Sequence, residues 1–133
     1  MPQHTVLVVD DEPLIRWSIG ERLRAEGYDV VEAADGRAAI DRFASGVDVV
    51  LLDSKLPDID GITVLRQLLG LNPDLLVILM TADTGIQTAV DNLKLGRFPV
   101  ANKPFLLDDI VGLVRGALRD VVFPHGQGKL RTA

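Results

Sequence analysis

The chain has no cysteine among its 133 residues. That excludes disulfides, thiolate metal sites and cysteine nucleophiles together. It also suits a reducing interior. Aromatic residues make up only 5%, so the core must be built mainly from Leu, Ile, Val and Ala. A basic excess is missing too: 14 Lys and Arg stand against 19 Asp and Glu, a formal charge of -5. Gripping nucleic acid or an anionic membrane requires the opposite balance, so neither is an expected partner of this segment. No apolar run nears the length of a membrane span; the run from Val47 to Leu52 is broken by Asp48. The opening MPQHTVLVV carries neither the basic start nor the small-residue cleavage site of a secretory leader, and the cytoplasm is the expected location. No Gly-rich phosphate loop or P-loop pattern follows any apolar run, which removes the usual nucleotide sites. No basic helix offers itself to a DNA groove.

With 47% hydrophobic and 25% charged residues, the composition is that of a folded globular protein. The length suits one domain with one full core. That domain is expected over residues 1–122. The polar, glycine-containing stretch 123–133 is expected to be a flexible tail or the start of a linker.

Five short β-branched runs alternate with segments of helical period: Thr5 to Val9, Tyr28 to Glu32, Val47 to Leu52, Leu75 to Met80 and Phe98 to Asn102. Three are almost wholly apolar, as strands covered on both faces must be. After Asp11, Pro13 suits a first helical turn, with Leu14, Ile15, Ile19 and Leu23 following before Gly27. Asp35 can cap a helix bearing Ala39, Ile40 and Phe43, and Asp60 one bearing Leu65, Leu68 and Leu69. Ile86, Ala89, Val90 and Leu93 form a stripe that stops near Gly96. Ile110, Leu113, Val114, Ala117, Leu118 and Val121 form the last one. Five β-then-α units with short connections imply right-handed crossovers and a parallel α/β sheet wrapped by helices. Pro99 predicts an edge position for the fifth strand, because proline cannot donate to a ladder.

In such a sheet ligands bind beyond the carboxyl ends of the strands. Asp10 and Asp11 follow the first strand, Asp53 the third, Thr81 closes the fourth, and Lys103 with Pro104 follows the fifth. Three carboxylates at one mouth repel: at ~4 Å and an effective dielectric of ~20, each pair costs about 4 kcal/mol, or roughly three pKa units. Such a group must take up a proton or hold a cation. An oxygen-only site without His or Cys suits Mg²⁺, which keeps several waters and shares phosphoryl oxygens. Lys103 adds positive charge and Thr81 a neutral hydroxyl, so the set would stabilise a transferring phosphoryl group. Taken singly, each residue has a plainer role. Asp10 and Asp11 could cap a helix, Asp53 and Lys103 could be solvated, and Thr81 could be a strand former. All of these would have to hold at four strand ends together, and the site is the simpler account. Gly61 is expected to be helix-start chemistry. His4, His125 and Trp17 are assigned no site.

The pieces VLVVDDEP, VVLLDSKLPDIDG, ILMTA and NKPF resemble, in order and spacing, the receiver domains of response regulators in two-component signalling. The match runs from about Thr5 to Leu118, and TADTGIQTAVDNLKLG is most similar to receivers of the nitrogen-regulator type. The resemblance implies a flavodoxin-like (βα)5 doubly wound sheet of strand order 2-1-3-4-5. It implies that Asp53 takes a phosphoryl group from a sensor histidine kinase or phosphotransfer protein. Asp11 and Asp53 would bind Mg²⁺ with the backbone carbonyl of Lys55, and Asp10 would act mainly through water. Thr81 and Lys103 would contact phosphoryl oxygens, Ala82 would leave them room, and the Lys103–Pro104 peptide would be cis. The domain would be a signalling switch rather than a turnover enzyme, altering its fourth helix and fifth strand to control an output, in the transcriptional case through another domain. A homodimer through that surface is an associated possibility.

Where receivers often carry Tyr or Phe, this chain has Val100, a stiff side chain with no ring to swing. Phe98, two residues earlier, shares its strand face and is the candidate substitute. Switching is then expected to rest on residues 83–95. Lys55 and Asp83, two residues beyond Asp53 and Thr81, are expected to flank the mouth and tune access of the hydrolytic water; plain exposed charges are the alternative. A receiver blind to phosphorylation, kept as an interaction module, is the competing reading. An aspartyl phosphatase is disfavoured, because Lys55 stands where such enzymes place a second acid.

Overall fold

The computed structural model describes residues 3–43, 46–83, 85–96 and 98–119. Strands and helices alternate throughout. They are β1 (Thr5–Val9), α1 (Pro13–Ala25), β2 (Asp29–Ala33), α2 (Gly36–Phe43), β3 (Val49–Asp53), α3 (Gly61–Leu71), β4 (Leu76–Thr81), α4 (Ile86–Asn92), β5 (Val100–Asn102) and α5 (Leu107–Arg119). The strands pair in parallel in the order β2-β1-β3-β4-β5, the flavodoxin-like doubly wound order that the resemblance implied. Among the described residues no helix is long and apolar enough to cross a membrane.

The apolar runs are explained by burial on two sides. Leu7, Val9, Val50, Leu52, Val77 and Leu79 pack against α2, α3 and α4 through Ala39, Leu65, Leu68 and Val90. Their alternate neighbours Val6, Val8, Val49, Leu51, Ile78 and Met80 pack against α1 and α5 through Ile19, Leu23, Ile110 and Val114. Successive side chains on a strand point to opposite faces, so a strand between two helical layers has no polar face. β1, β3 and β4 therefore carry nearly unbroken aliphatic sequence.

Several boundaries move relative to the expected ones. The ladder of β3 begins at Val49, and Asp48 just before it exchanges two bonds with Thr5, its N–H donating to the Thr5 carbonyl at 2.9 Å and its carboxylate accepting the Thr5 N–H at 2.7 Å. Residues 98 and 99 fall outside β5, although the Pro99 carbonyl still accepts from Leu79 N–H at 2.9 Å. β5 is indeed an edge strand, where the donor that Pro99 lacks is not missed. Leu14 is not in the core but 72% exposed. Ile15, Ile19 and Leu23, spaced by four, define the inward face, and Leu14 sits about 140° from the centre of that stripe. Leu93 is likewise exposed, since α4 ends before it. Val111 joins the core of α5, an addition to the expected stripe. Val121, His125 and the expected tail 123–133 lie outside the described residues.

The loop after β3 is tied down from two directions. Asp35 caps α2 as expected, accepting Ala38 N–H at 2.8 Å. A second carboxylate, Asp58, reaches across to accept Gly36 N–H at 2.8 Å and Arg37 N–H at 3.0 Å. The Gly36 bond is the main reason that the Asp58 carboxyl lies below the usual carboxylate range, as expected for an anion on helix N–H groups. Gly61 does more than start a helix. A Cβ there would lie 2.6 Å from the Asp53 carbonyl oxygen and 2.7 Å from Ser54 Cα. Only glycine lets α3 approach the end of β3 this closely.

Gly61→Ala should therefore destabilise the fold by roughly 1–3 kcal/mol, the usual range for overpacking against backbone. Gly70→Ala, in the same helix with open space around it, should instead stabilise by about 0.5–1 kcal/mol. Urea unfolding of the two variants checks the contrast; equal effects would remove the steric explanation.

Candidate functional site

The carboxyl ends of β1, β3, β4 and β5 deliver the site. Extending the strand alternation by one residue puts Asp10, Asp53 and Lys103 on the side of α1 and α5, because Val8, Leu51 and Ala101 face that way. Carboxylate oxygens of Asp10, Asp11 and Asp53 lie within 4.8 Å of one another. Lys103 Nζ donates to Asp10 Oδ2 at 3.0 Å and to Asp53 Oδ2 at 3.1 Å. The mouth is a cleft of about 300 Å³ lined by Asp11, Glu12, Asp53, Ser54, Lys55, Ala82 and Lys103.

Each buried acid is held by both its oxygens. Asp10 is fully buried and accepts Glu12 N–H on Oδ1 at 2.9 Å. The Arg16 guanidinium donates to the Asp10 carbonyl at 2.7 Å, which locks the start of α1 to the end of β1. Asp53 accepts Lys55 N–H on Oδ1 at 3.1 Å. Burial pushes the Asp53 carboxyl above its ordinary value; the Lys55 N–H opposes this, the Asp10 charge adds to it, and Lys103 opposes it again. For Lys103, burial favours the neutral amine, but the hydrogen bonds and charges of Asp10 and Asp53 outweigh it, and its pKa is raised. One lysine thus serves two buried carboxylates, with the exposed Asp11 beside them. The set carries excess negative charge, is all oxygen, and opens on one side to solvent. That donor set fits a hard divalent cation such as Mg²⁺.

Thr81 stands apart from this ion cluster. Its hydroxyl accepts from Ser54 Oγ at 2.7 Å and from Asp83 N–H at 2.8 Å, while its carbonyl accepts Lys103 N–H at 2.7 Å. The peptide between Lys103 and Pro104 is cis. Lys55 lines the mouth. Asp83 turns its carboxylate to Gly85 N–H at 2.8 Å, and among the described residues no ion pair joins it to Lys55. Phe98 is buried and Val100 half-buried, both against the core on the α2–α4 side. Three participants were not foreseen as site residues. Glu12 lies 3.6 Å from Lys103 Nζ, Arg16 braces Asp10, and Ser54 binds Thr81. Glu12 and Ser54 each adjoin a motif aspartate, which is the only signal the sequence offers for them. Trp17, given no site, is 57% exposed on α1, and His4 is a surface residue 3.7 Å from Asp48.

A five-stranded doubly wound sheet with an acidic, lysine-bearing cleft at its strand ends defines the class of aspartate-bearing receiver folds. The chain belongs to the response regulator receiver domain family, whose model matches residues 6–115. It is similar to TcrX of Mycobacterium tuberculosis, named as a probable transcriptional regulatory protein, with 40% identity over 86% of this chain and 50% of TcrX. A crystal structure of the response regulator TrrA from Thermotoga maritima in complex with Mg²⁺ and BeF superposes with a TM-score of 0.77 and 32% identity, covering 86% of this chain and 99% of that one. NtrX from Brucella abortus superposes with a TM-score of 0.80 and 28% identity over 90% of this chain and 28% of NtrX, compatible with the nitrogen-regulator likeness. The chain spans about half the length of the curated relatives it matches, and a quarter of one.

The raised Asp53 value has a consequence for stability. The native state favours the protonated acid more than the unfolded chain does. The stability this group supports is complete below its unfolded value of 3.8 and is lost as pH rises through the raised native value. With a chelator present, wild-type unfolding free energy should fall across that window, and Asp53→Asn should fall less. Denaturant titrations at stepped pH measure both slopes; parallel curves would contradict the assignment.

Proposed function

We propose that this domain is a phosphorylation-driven switch of a two-component system, with Asp53 as the phosphoryl acceptor. The observation that carries this reading is the pairing of Asp53 with Lys103 inside a three-carboxylate oxygen cluster at the mouth of the sheet. Asp10, Asp11 and Asp53, with the Lys55 backbone carbonyl, would hold Mg²⁺; Asp10, being buried, would contribute mainly through water or charge. When bound, the cation would neutralise charge on phosphoryl oxygens. An Asp53 carboxylate oxygen attacks phosphorus of a phosphohistidine. The new O–P bond forms as the P–N bond breaks, and the imidazole leaves with the electron pair and takes up a proton. Lys103 is already bonded to the attacking carboxylate and can share itself with a phosphoryl oxygen. Thr81 would donate its hydroxyl to another, and Ala82 at the rim would leave room.

The donor is taken to be a sensor histidine kinase or phosphotransfer protein. Exposed Leu14 and Trp17 lie three apart on α1, which starts two residues after Asp11, and supply apolar surface close to the mouth. The responding face is taken to be α4 and β5, presented to an output domain, a partner or a second copy of the chain. TcrX supports transcription as the regulated process. The receiver is taken to end near residue 122, in the cytoplasm, without contacting nucleic acid or membrane itself.

Val100 supports one other reading, a receiver that works without phosphorylation. It replaces the ring that commonly reports the phosphorylated state, leaving Phe98 and residues 83–95 to carry the change. The costly buried acids weigh against that reading, since an interaction module has no use for them.

Incubation with a small phosphodonor should add one phosphoryl group, only with Mg²⁺ present, and Asp53→Asn should abolish it. Intact-mass analysis reads this directly; no gain with a competent donor would leave the phosphorylation-independent module standing. Lys55 and Asp83 are proposed to tune the lifetime of the product. The double variant Lys55→Ala, Asp83→Ala should change the dephosphorylation half-life by a few-fold, and an unchanged half-life refutes that role.

A further inference from the structure

The register of β3 and β4 pairs Asp53 with Met80, and Ser54 N–H continues the ladder by donating to the Met80 carbonyl at 3.0 Å. The next residues, Ser54 and Thr81, therefore stand side by side. By alternation both belong to the α2–α4 side, because Leu52 and Leu79 face that way, whereas Asp53 belongs to the α1–α5 side. The two hydroxyls meet at 2.7 Å. Ser54 is 7% exposed and Thr81 1% exposed. Among the described residues, Thr81 Oγ1 is the only hydrogen-bond partner of the Ser54 hydroxyl. Thr81 also accepts Asp83 N–H at 2.8 Å, so its oxygen is held by two donors, neither of them from the Asp53 carboxylate.

We infer that Ser54 is a positioning residue that holds Thr81 in its unphosphorylated arrangement and so sets how readily the domain switches. The inference rests on the reading that Thr81 engages a phosphoryl group on Asp53. For Thr81 to do so, its hydroxyl must turn from Ser54 toward the cleft. Ser54 then loses its one partner in a buried place, and an unpartnered buried hydroxyl is unfavourable. The resting state gains a bond that the phosphorylated state gives up. An aliphatic residue at position 54 could not oppose the movement in this way. The backbone beyond Thr81 is coupled to the same oxygen through Asp83 N–H, so release at Ser54 reaches the loop that leads into α4.

The test uses beryllofluoride with Mg²⁺ as the phosphoryl mimic. Ser54→Ala should lower its apparent Kd about five-fold, equivalent to about 1 kcal/mol, the net worth of one neutral hydrogen bond. Ser54→Thr, which keeps the hydroxyl, should bind as the wild type does. The free Ser54→Ala protein should also show its Asp83 amide resonance displaced toward the wild-type bound position, a change that loss of packing alone does not produce. Equal or weaker binding by Ser54→Ala overturns the inference while leaving the Asp53 reading intact. Binding by neither protein overturns the Asp53 reading and the inference with it. A measurement on the wild type alone gives a second route: a structure of the beryllofluoride complex should show Thr81 Oγ1 parted from Ser54 Oγ, and a retained bond overturns the inference whatever the variants do.

Discussion

The arrangement depends on Lys103 standing between two buried carboxylates. Asp10 is sealed beneath the end of β1 and Asp53 is nearly so at the end of β3, and both direct an oxygen to the same ammonium. Removing an acid from water disfavours its charge, and a second acid nearby compounds the effect. Lys103 supplies one positive charge against the two, and Asp11 at the rim raises the deficit again. The ion cluster is thus neither neutral nor relaxed. Its unmet negative charge is what would recruit a divalent cation, and that cation together with Lys103 would make a phosphoryl group acceptable there.

Sheet geometry divides the labour. Strand alternation sends the acids and the lysine to the side of α1 and α5, while Ser54 and Thr81 belong to the side of α2, α3 and α4. Charge is handled on one side, and a neutral hydroxyl pair next to the loop into α4 stands on the other. Parallel pairing brings the strand ends together, and the β3–α3 connection packs closely against the end of β3. Gly61 permits the approach of α3, and Asp58 ties the same loop to the first turn of α2. A loop held at both ends keeps Asp53 and Lys55 in place without adding side-chain bulk to the cleft.

Much of this was legible in the residues. Almost unbroken aliphatic runs separated by amphipathic segments imply a parallel sheet between helical layers, and the turn residues mark where each strand ends. Asp10, Asp11, Asp53, Thr81 and Lys103 were identifiable because each stands immediately at or beyond a strand's carboxyl end, where a doubly wound sheet gathers ligands. Leu14 was misplaced because it was grouped with its apolar neighbour Ile15, although the i, i+4 row of Ile15, Ile19 and Leu23 turns away from it. The limits of β5 escaped because three ladder residues carry too little periodicity to separate them from Phe98 and Pro99.

The order of short apolar strands, amphipathic helices and strand-end acids was determined by the sequence alone, since period and turn chemistry are local properties of the chain. Pairings between residues distant along the chain had to await the tertiary structure. The bond between Ser54 and Thr81, the brace from Arg16 to Asp10, and the reach of Asp58 to α2 depend on register and on crossing elements. No residue type announces such a partner, because hydrogen bonds are specific in distance and direction, and only the packed sheet sets those.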